Sequence, residues 1–345
     1  MEKVWFLNIS SYEEVSARLR ELLDQHFSYL FSPSDKVLVK PNLISARKPE
    51  EAVTTHPIIL KTVLEFLLDL GTKPFVADSP AFSSFKRVVK VTGVEDVCEN
   101  LGVPCVPLDD PVEVNGEVFQ KIKISRKVLE ADKVVNLPKL KTHSQMVMTL
   151  GVKNTFGCVV GLEKSSWHMR AKNYDDFANL LIDIHRIVSP VLTILDGVEG
   201  MEGNGPTNGR KKHFGLVAAS KNAFALDDAI CKALGIDHVV YTVQQAREKR
   251  IVPNYETIGT FHASIELPST VSTLDRLSRT FSRFFVKYPK IDTRKCVKCR
   301  LCEERCPASA IDISSQRINY QKCIRCYVCH EVCPQDAIRL VRRLI

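Results

Sequence analysis

The sequence predicts an α/β fold, a mostly parallel sheet with helices on both faces, joined to a small C-terminal α+β domain. Short apolar runs alternate with amphipathic stretches over residues 1–270, the pattern of a sheet covered on both sides by crossover helices. These runs break into loops bearing Pro, Gly and Asn, the residues at which such strands end. Eight of the twelve cysteines crowd into residues 296–333, a placement that suits metal ligands better than disulfides.

Residues 36–42, KVLVKPN, read as a buried strand breaking at Pro41. Residues 56–71 read as a helix: Ile59, Val63, Phe66, Leu67 and Leu70 form its apolar stripe, and Gly71 stops it. His56, before Pro57, reads as the residue that starts it. Residues 73–80 form a second strand ending in Asp-Ser-Pro, and residues 132–143 and 190–200 repeat the form. Residues 175–188 read as the helix before the latter, 214–220 as a further strand and 227–235 as a helix. Residues 271–290 carry Leu274, Leu277, Phe281, Phe284 and Phe285 at helical spacing, with Arg276, Arg279, Arg283 and Lys287 on other faces. They read as an amphipathic helix packed on a neighbouring domain and ended by Pro289. The predicted organisation is an α/β domain over 1–270, this connecting helix over 271–290 and the cysteine-rich domain over 291–345.

In an open α/β sheet, ligands bind beyond the carboxyl ends of the strands. That rule gathers Lys40 and Asn42, Asp78 and Ser79, Asn136, Lys139, Lys141, Thr142 and His143, and Asp196 with the loop GMEGNGP at 200–206. Residues 151–154, GVKN, add Lys153 and Asn154. Lys40, Lys139, Lys141 and Lys153 would place up to four ammonium groups at one edge. Like charges so held call for an anion or carboxylates between them. The expected ligand set is Lys40, Asn42, Lys139, Lys153, Asn154 and Asp196, with His143, Lys141 and Asp78 as catalytic candidates. His143, titrating near neutrality, is the expected proton donor. In the competing arrangement Asp78, Asp196 and Glu163 pair with the lysines as a structural network. The 200–206 loop is expected to close over a ligand, and it follows neither the dinucleotide nor the Walker spacing.

The formal charge is +8. Residues 291–345 hold eleven Lys and Arg against six Asp and Glu, an excess that offsets anionic clusters more simply than it marks a nucleic-acid surface. No apolar run approaches a bilayer span, and the first residues lack the long apolar stretch of a signal peptide, so none is expected. The protein is expected in the cytoplasm, with neither nucleic acid nor membrane as partner.

Residues 296–313 and 323–340 are an internal repeat at an offset of 27, identical at eight of eighteen positions. Each reads C-x2-C-x2-C-x3-C-P. Three thiolates at that spacing reach one cube, and the fourth, before proline, ligates the other. Cys296, Cys299 and Cys302 are therefore expected to share a 4Fe–4S cluster with Cys333, and Cys323, Cys326 and Cys329 a second with Cys306. Zinc, which takes paired C-x2-C knuckles, fits two such triplets badly. The scattered Cys98, Cys105, Cys158 and Cys231 read as buried apolar side chains.

This segment resembles the bacterial two-cluster ferredoxins along its length, which implies two short hairpins and two short helices. ASAIDI and QDAIRL are expected to supply the helix after each Cys-Pro. KPNL, THP, ADSP, NLPKLKTH, GVKN and the Met-Glu-Gly-x-Gly-Pro loop resemble, in their usual order, the domain-of-unknown-function 362 family over roughly residues 36–250. Members often carry an appended two-cluster module. The resemblance implies an α/β domain and iron–sulfur association, with no settled reaction.

Three functions stay open. In the first, an iron–sulfur oxidoreductase delivers low-potential electrons to a phosphate- or carboxylate-bearing small molecule at the sheet edge. In the second, an electron-transfer protein docks an acidic redox partner on the strand-end lysines. In the third, a maturation factor binds an intermediate without turnover. A redox partner protein is expected to exchange the electrons.

Overall fold

The computed structural model describes residues 1–80, 83–161, 163–271 and 287–342. Its ten-stranded sheet runs, edge to edge, through Tyr255–Ile258, Glu2–Asn8, Arg210–Ser220, Leu192–Glu202, Lys133–Leu137, Lys36–Pro41, Lys73–Asp78 and Cys105–Pro107. The four strands from Lys133–Leu137 to Cys105–Pro107 pair in parallel, and Leu192–Glu202 joins them in parallel. Arg210–Ser220 returns antiparallel to Leu192–Glu202 and pairs antiparallel with Glu2–Asn8.

The stretch expected as one strand over 132–143 is two. Pro138 lacks the N–H that a continuous ladder needs. Lys139–His143 resumes beside the distal half of Leu192–Glu202 and pairs with Val147–Thr149. The first strand, Glu2–Asn8, and the helix Tyr12–His26 complete the domain.

Successive side chains of a strand face opposite sides. Val37 and Val39 accordingly enter one core, with Leu19 and Leu23 of the first helix and Ile59, Val63 and Leu67 of Pro57–Asp69. Leu38 enters the other, with Phe177, Leu181 and Ile184 of Tyr174–Val188. Helix Pro57–Asp69 alone buries Ile59, Leu60, Val63, Leu64, Phe66 and Leu67, six side chains contributing on the order of 10 kcal/mol as an upper bound. His56 starts this helix: its Nδ1 accepts from the Ile58 N–H at 3.3 Å.

In the C-terminal region Lys287–Ile291 pairs antiparallel with Ile338–Arg342, and Ile311–Asp312 with Arg317–Ile318. The short helices are Leu301–Glu304 and Val328–Val332. They precede each Cys-Pro, whereas ASAIDI and QDAIRL run into strands. Left-handed turns at Ser309 and Asp336, φ 45° and 46°, redirect the chain there, and the following isoleucines suit a strand better than a helix. Other left-handed residues repeat at the same offset, Lys298 with Arg325 and Arg300 with Tyr327, so the repeat is geometric as well as sequential. Residues 272–286, most of the expected connecting helix, lie outside the described residues. At its end Lys287–Ile291 is a strand, in which Pro289 stands opposite Leu340.

Candidate functional site

Register fixes the polar edge. It sets Lys40 beside Asn136 and Lys139 beside Asp196. Lys139 Nζ donates to Asp196 Oδ2 and to Tyr12 Oη, each at 2.8 Å. Tyr12 Oη donates to Asp196 Oδ1 at 2.9 Å, and the His56 N–H donates to Oδ2 at 2.9 Å. Both charged side chains are 0% exposed. Lys139 and Asp196 thus close on each other, and neither lines the cavity described next, contrary to the expectation that they bind ligand.

A cavity of about 90 Å³ is lined by Lys40, Asn42, Asp78, Lys141, His143, Lys153 and Asn154, together with Thr149, Lys164, His168, Arg305, Val328 and Glu331. Seven of the expected site residues therefore meet. Lys40 Nζ donates to Asp78 Oδ1 at 3.0 Å, and the Leu43 and Ser79 N–H groups donate to the same carboxylate. That carboxylate's acceptors are already used by the wall itself, so Asp78 is a structural partner of Lys40 and not a free acid. Gly157 packs against this pair, and a Cβ there would lie 2.5 Å from Lys40 Nζ. Glu163 pairs instead with Lys123, at 2.9 Å.

Three asparagines from three motifs form one hydrogen-bond relay. Lys141 Nζ donates to Asn42 Oδ1 at 2.8 Å and to the Val53 carbonyl at 2.6 Å. Asn42 Nδ2 donates to Asn154 Oδ1 at 2.7 Å, Asn154 Nδ2 to Asn136 Oδ1 at 2.8 Å, and Asn136 Nδ2 to the Gly151 carbonyl at 2.9 Å. Asp227 anchors the far end by accepting from the Gly151 and Val152 N–H groups at 2.8 and 2.9 Å. Burial pushes the Asp227 carboxyl up to about 7.

Burial, with Lys153 and Lys139 nearby, holds the Lys141 amine well below the usual lysine range. Loss of water lowers Lys153 to about 8, against the opposing pull of Glu331, and burial lowers Lys164 to about 8. Lys164 also donates to the Ser79 carbonyl. An anion in this cavity would favour the charged form of these amines, because opposite charge stabilises it.

His143 does not fit the expected role of a donor titrating near neutrality. Its Nδ1 accepts from the Gln145 and Met146 N–H groups at 3.1 and 3.3 Å, which leaves the hydrogen on Nε2. Burial and the cationic Lys153 hold its pKa well below the ordinary value, so the ring is neutral. Nε2 faces Glu331 Oε1 at 3.5 Å. Burial raises the Glu331 carboxyl to about 7. Glu331 Oε1, Thr149 Oγ1 and His168 Nδ1 belong to cavity-lining residues and lack an aligned hydrogen-bond partner.

Glu331 and Arg305 come from the cysteine-rich domain, which sequence reasoning kept separate from the sheet edge. Glu331 is the repeat counterpart of Glu304; Glu304 is exposed and Glu331 buried, an asymmetry no linear pattern reveals. Lys164 lies on helix Glu163–Arg170, away from any strand end in sequence.

The loop expected to close over a ligand is instead a fixed strap. The Gly205 carbonyl accepts from the Ser144 N–H at 3.0 Å and Oγ at 2.8 Å. Thr207 Oγ1 donates to the Glu331 carbonyl at 2.8 Å, and Asn208 Nδ2 to the His330 carbonyl at 2.9 Å. The strand ladder runs out to Glu202 opposite Arg210, so the hairpin tip seats helix Val328–Val332 over the cavity.

The cysteines form two quartets. Cys296, Cys299, Cys302 and Cys333 line one cavity, and Cys306, Cys323, Cys326 and Cys329 line another. The Ala310 N–H donates to Cys306 Sγ at 3.3 Å and the Ala337 N–H to Cys333 Sγ at 3.2 Å, the same contact in each repeat. Among the described residues no three His, Cys, Asp or Glu side chains converge on one point as a single metal ion requires. Four sulfurs around a cavity, with N–H donors to sulfur, fit an iron–sulfur cluster.

Residues 37–232 match the family described as "Domain of unknown function (DUF362)", and residues 288–334 match a 4Fe-4S dicluster domain. A thylakoid-associated protein of Synechocystis sp. is 34% identical over 310 residues, covering 84% of this chain and 97% of its own length. The lactate racemase apoprotein from Thermoanaerobacterium thermosaccharolyticum aligns at 13% identity with a TM-score of 0.47, over 68% of this chain and 57% of that one. None of the described helices is long and apolar enough to cross a membrane.

Proposed function

We propose that this chain, which belongs to the domain-of-unknown-function family DUF362 and carries a 4Fe–4S module, is an oxidoreductase. It would hold two 4Fe–4S clusters and pass low-potential electrons to an anionic substrate in the cavity at the sheet edge. One observation carries the reading. Arg305, Val328 and Glu331, each within two residues of a cluster cysteine, line the same cavity as Lys141, Lys153 and Lys164.

The clusters, when bound, supply single electrons at a potential set by their surroundings, within about −700 to +450 mV. The chain's own groups do the rest. Lys153 and Lys164 attract a phosphate or carboxylate, and the asparagine relay fixes Lys141 beside it. Helix Val328–Val332 covers the cavity and limits water. Burial of Lys40, Lys139 and Lys141, each at 1% exposure or less, supports an enclosed site over a face that docks a protein on the strand-end lysines.

The test is binding of inorganic phosphate to anaerobically purified protein. Lys153→Met with Lys164→Met should weaken it at least tenfold with iron and acid-labile sulfide unchanged. Unchanged phosphate binding would contradict the site. Binding of a candidate substrate without its reduction would favour a maturation role. We place the protein in the cytoplasm, on the strength of eight clustered thiols suited to a reducing compartment. Cell fractionation that finds it on membranes, as the name of the Synechocystis relative suggests for that protein, would overturn the placement.

A further inference from the structure

We propose that electrons enter this protein through the exposed loop at residues 294–300, delivered by a small acidic electron-carrier protein. This rests on the clusters being bound but not on the identity of the substrate.

The two quartets are not equivalent in space. Arg305 and Val328, the immediate chain neighbours of Cys306 and Cys329, line the sheet-edge cavity, whereas no immediate chain neighbour of Cys296, Cys299, Cys302 or Cys333 does. The first quartet reaches further to the surface: Cys299 is exposed where its counterpart Cys326 is half-buried, and Val297, which lines the first quartet's cavity, is 62% exposed against 40% for its counterpart Ile324. The first quartet is thus the outward one of the pair.

Comparing the two repeats shows what is special about this loop. Lys298 corresponds to Arg325 and Arg300 to Tyr327 at the offset of 27. Arg325 is engaged within the domain: Nη1 donates to Tyr288 Oη at 3.2 Å, and the guanidinium lies 5.5 Å from that ring's centre. Tyr327 is 2% exposed. In the first repeat both positions are exposed cations. Arg300 keeps a side-chain exposure of 63% while bonded to Glu303, and Arg294 keeps 86% beside an Asp292 that also holds Arg339. Lys295 and Lys298 are exposed, and no ion pair joins either to a carboxylate among the described residues. An apolar, exposed Val297 flanked in the chain by four exposed cations, at the cavity of the first cysteine quartet, complements an acidic surface with an apolar middle. Such complementarity steers encounter and fixes orientation. The step is a one-electron transfer: the carrier is oxidised by one electron, the first quartet's cluster is reduced by one, and no bond forms or breaks.

The same cations also offset the negative charge of a cluster, and the experiment separates the two roles. Full-length, anaerobically purified protein is titrated calorimetrically with an acidic plant-type [2Fe–2S] ferredoxin at low and moderate salt. Wild-type protein should bind with an affinity that falls as salt rises. Lys295→Glu with Lys298→Glu should weaken binding at least tenfold while iron content and phosphate binding stay unchanged. Lys86→Glu with Lys90→Glu makes the same change of charge on the exposed face of helix Phe85–Val91 and should alter affinity less than twofold. The proposal is overturned if wild type fails to bind, if the loop variant binds like wild type, or if the distant variant loses as much. Loss of phosphate binding in wild type with ferredoxin binding intact would count against the cavity alone.

Discussion

Glu331 Oε1 lies 3.5 Å from His143 Nε2, so a carboxylate between two cluster cysteines meets a histidine at the edge of the sheet. Around this contact Lys153 and Lys164 are held at about 8. An anion favours their protonated forms, so phosphate affinity should fall above pH 8, by up to about tenfold per pH unit for each lysine. Glu331→Gln removes the carboxylate that opposes the depression of Lys153 and should move this alkaline limb to lower pH. Calorimetric titration from pH 6 to 9.5 reads both; a limb that stays in place in the variant would contradict the coupling. The sign for stability is opposite. Both lysines sit below their ordinary 10.5, so between about pH 8 and 10.5 the unfolded chain binds more protons and these groups make stability rise with pH.

Lys139 and Lys153 should separate stability from binding. Lys139→Met leaves Asp196, 0% exposed, without its ammonium partner, a loss of about 3–5 kcal/mol that lowers the thermal midpoint by several degrees. Lys153→Met should leave the midpoint within about two degrees and weaken phosphate at least tenfold. Paired melting and binding measurements decide it; equal effects in both assays would remove the distinction drawn between a closed pair and a cavity group.

Asn154→Ala breaks the relay at its middle and leaves Asn42 Nδ2 and Asn136 Oδ1 buried without that partner. Each orphaned group costs about 1–3 kcal/mol. The melting temperature should drop by several degrees with iron content intact, and an unshifted melt would show that the relay is not structural.

Iron counting tests the interleaved quartets. Cys296→Ala and Cys333→Ala should each remove one cluster, and the two together should remove no more. Cys296→Ala with Cys306→Ala should remove both. Additive losses in the first double variant would mean that each repeat holds its own cluster.

Much of this was legible in the chain. Strand ends at Lys40, Asp78 and Asn136 follow from apolar runs closed by Pro and Asn, and the quartets follow from cysteine spacing. Other features depend on contacts that linear pattern does not carry. Lys139 and Lys141 read alike, yet two residues apart they meet Asp196 in one case and only neutral acceptors in the other. Glu331 is one of two equivalent glutamates until docking of one repeat buries it. The helices misplaced after each Cys-Pro were displaced by left-handed turns at Ser309 and Asp336, non-glycine residues that give little sequence signal.

The central claim is that an anion sits beside the cluster of Cys306, Cys323, Cys326 and Cys329. Low-temperature electron paramagnetic resonance of the anaerobically reduced protein, recorded with and without phosphate or oxalate, tests it most directly. Signals are assigned to each quartet from the single-cluster variants Cys296→Ala and Cys326→Ala. The account predicts that the anion shifts only the signal of the cavity-side cluster. No shift, or a shift confined to the outward cluster, would contradict it.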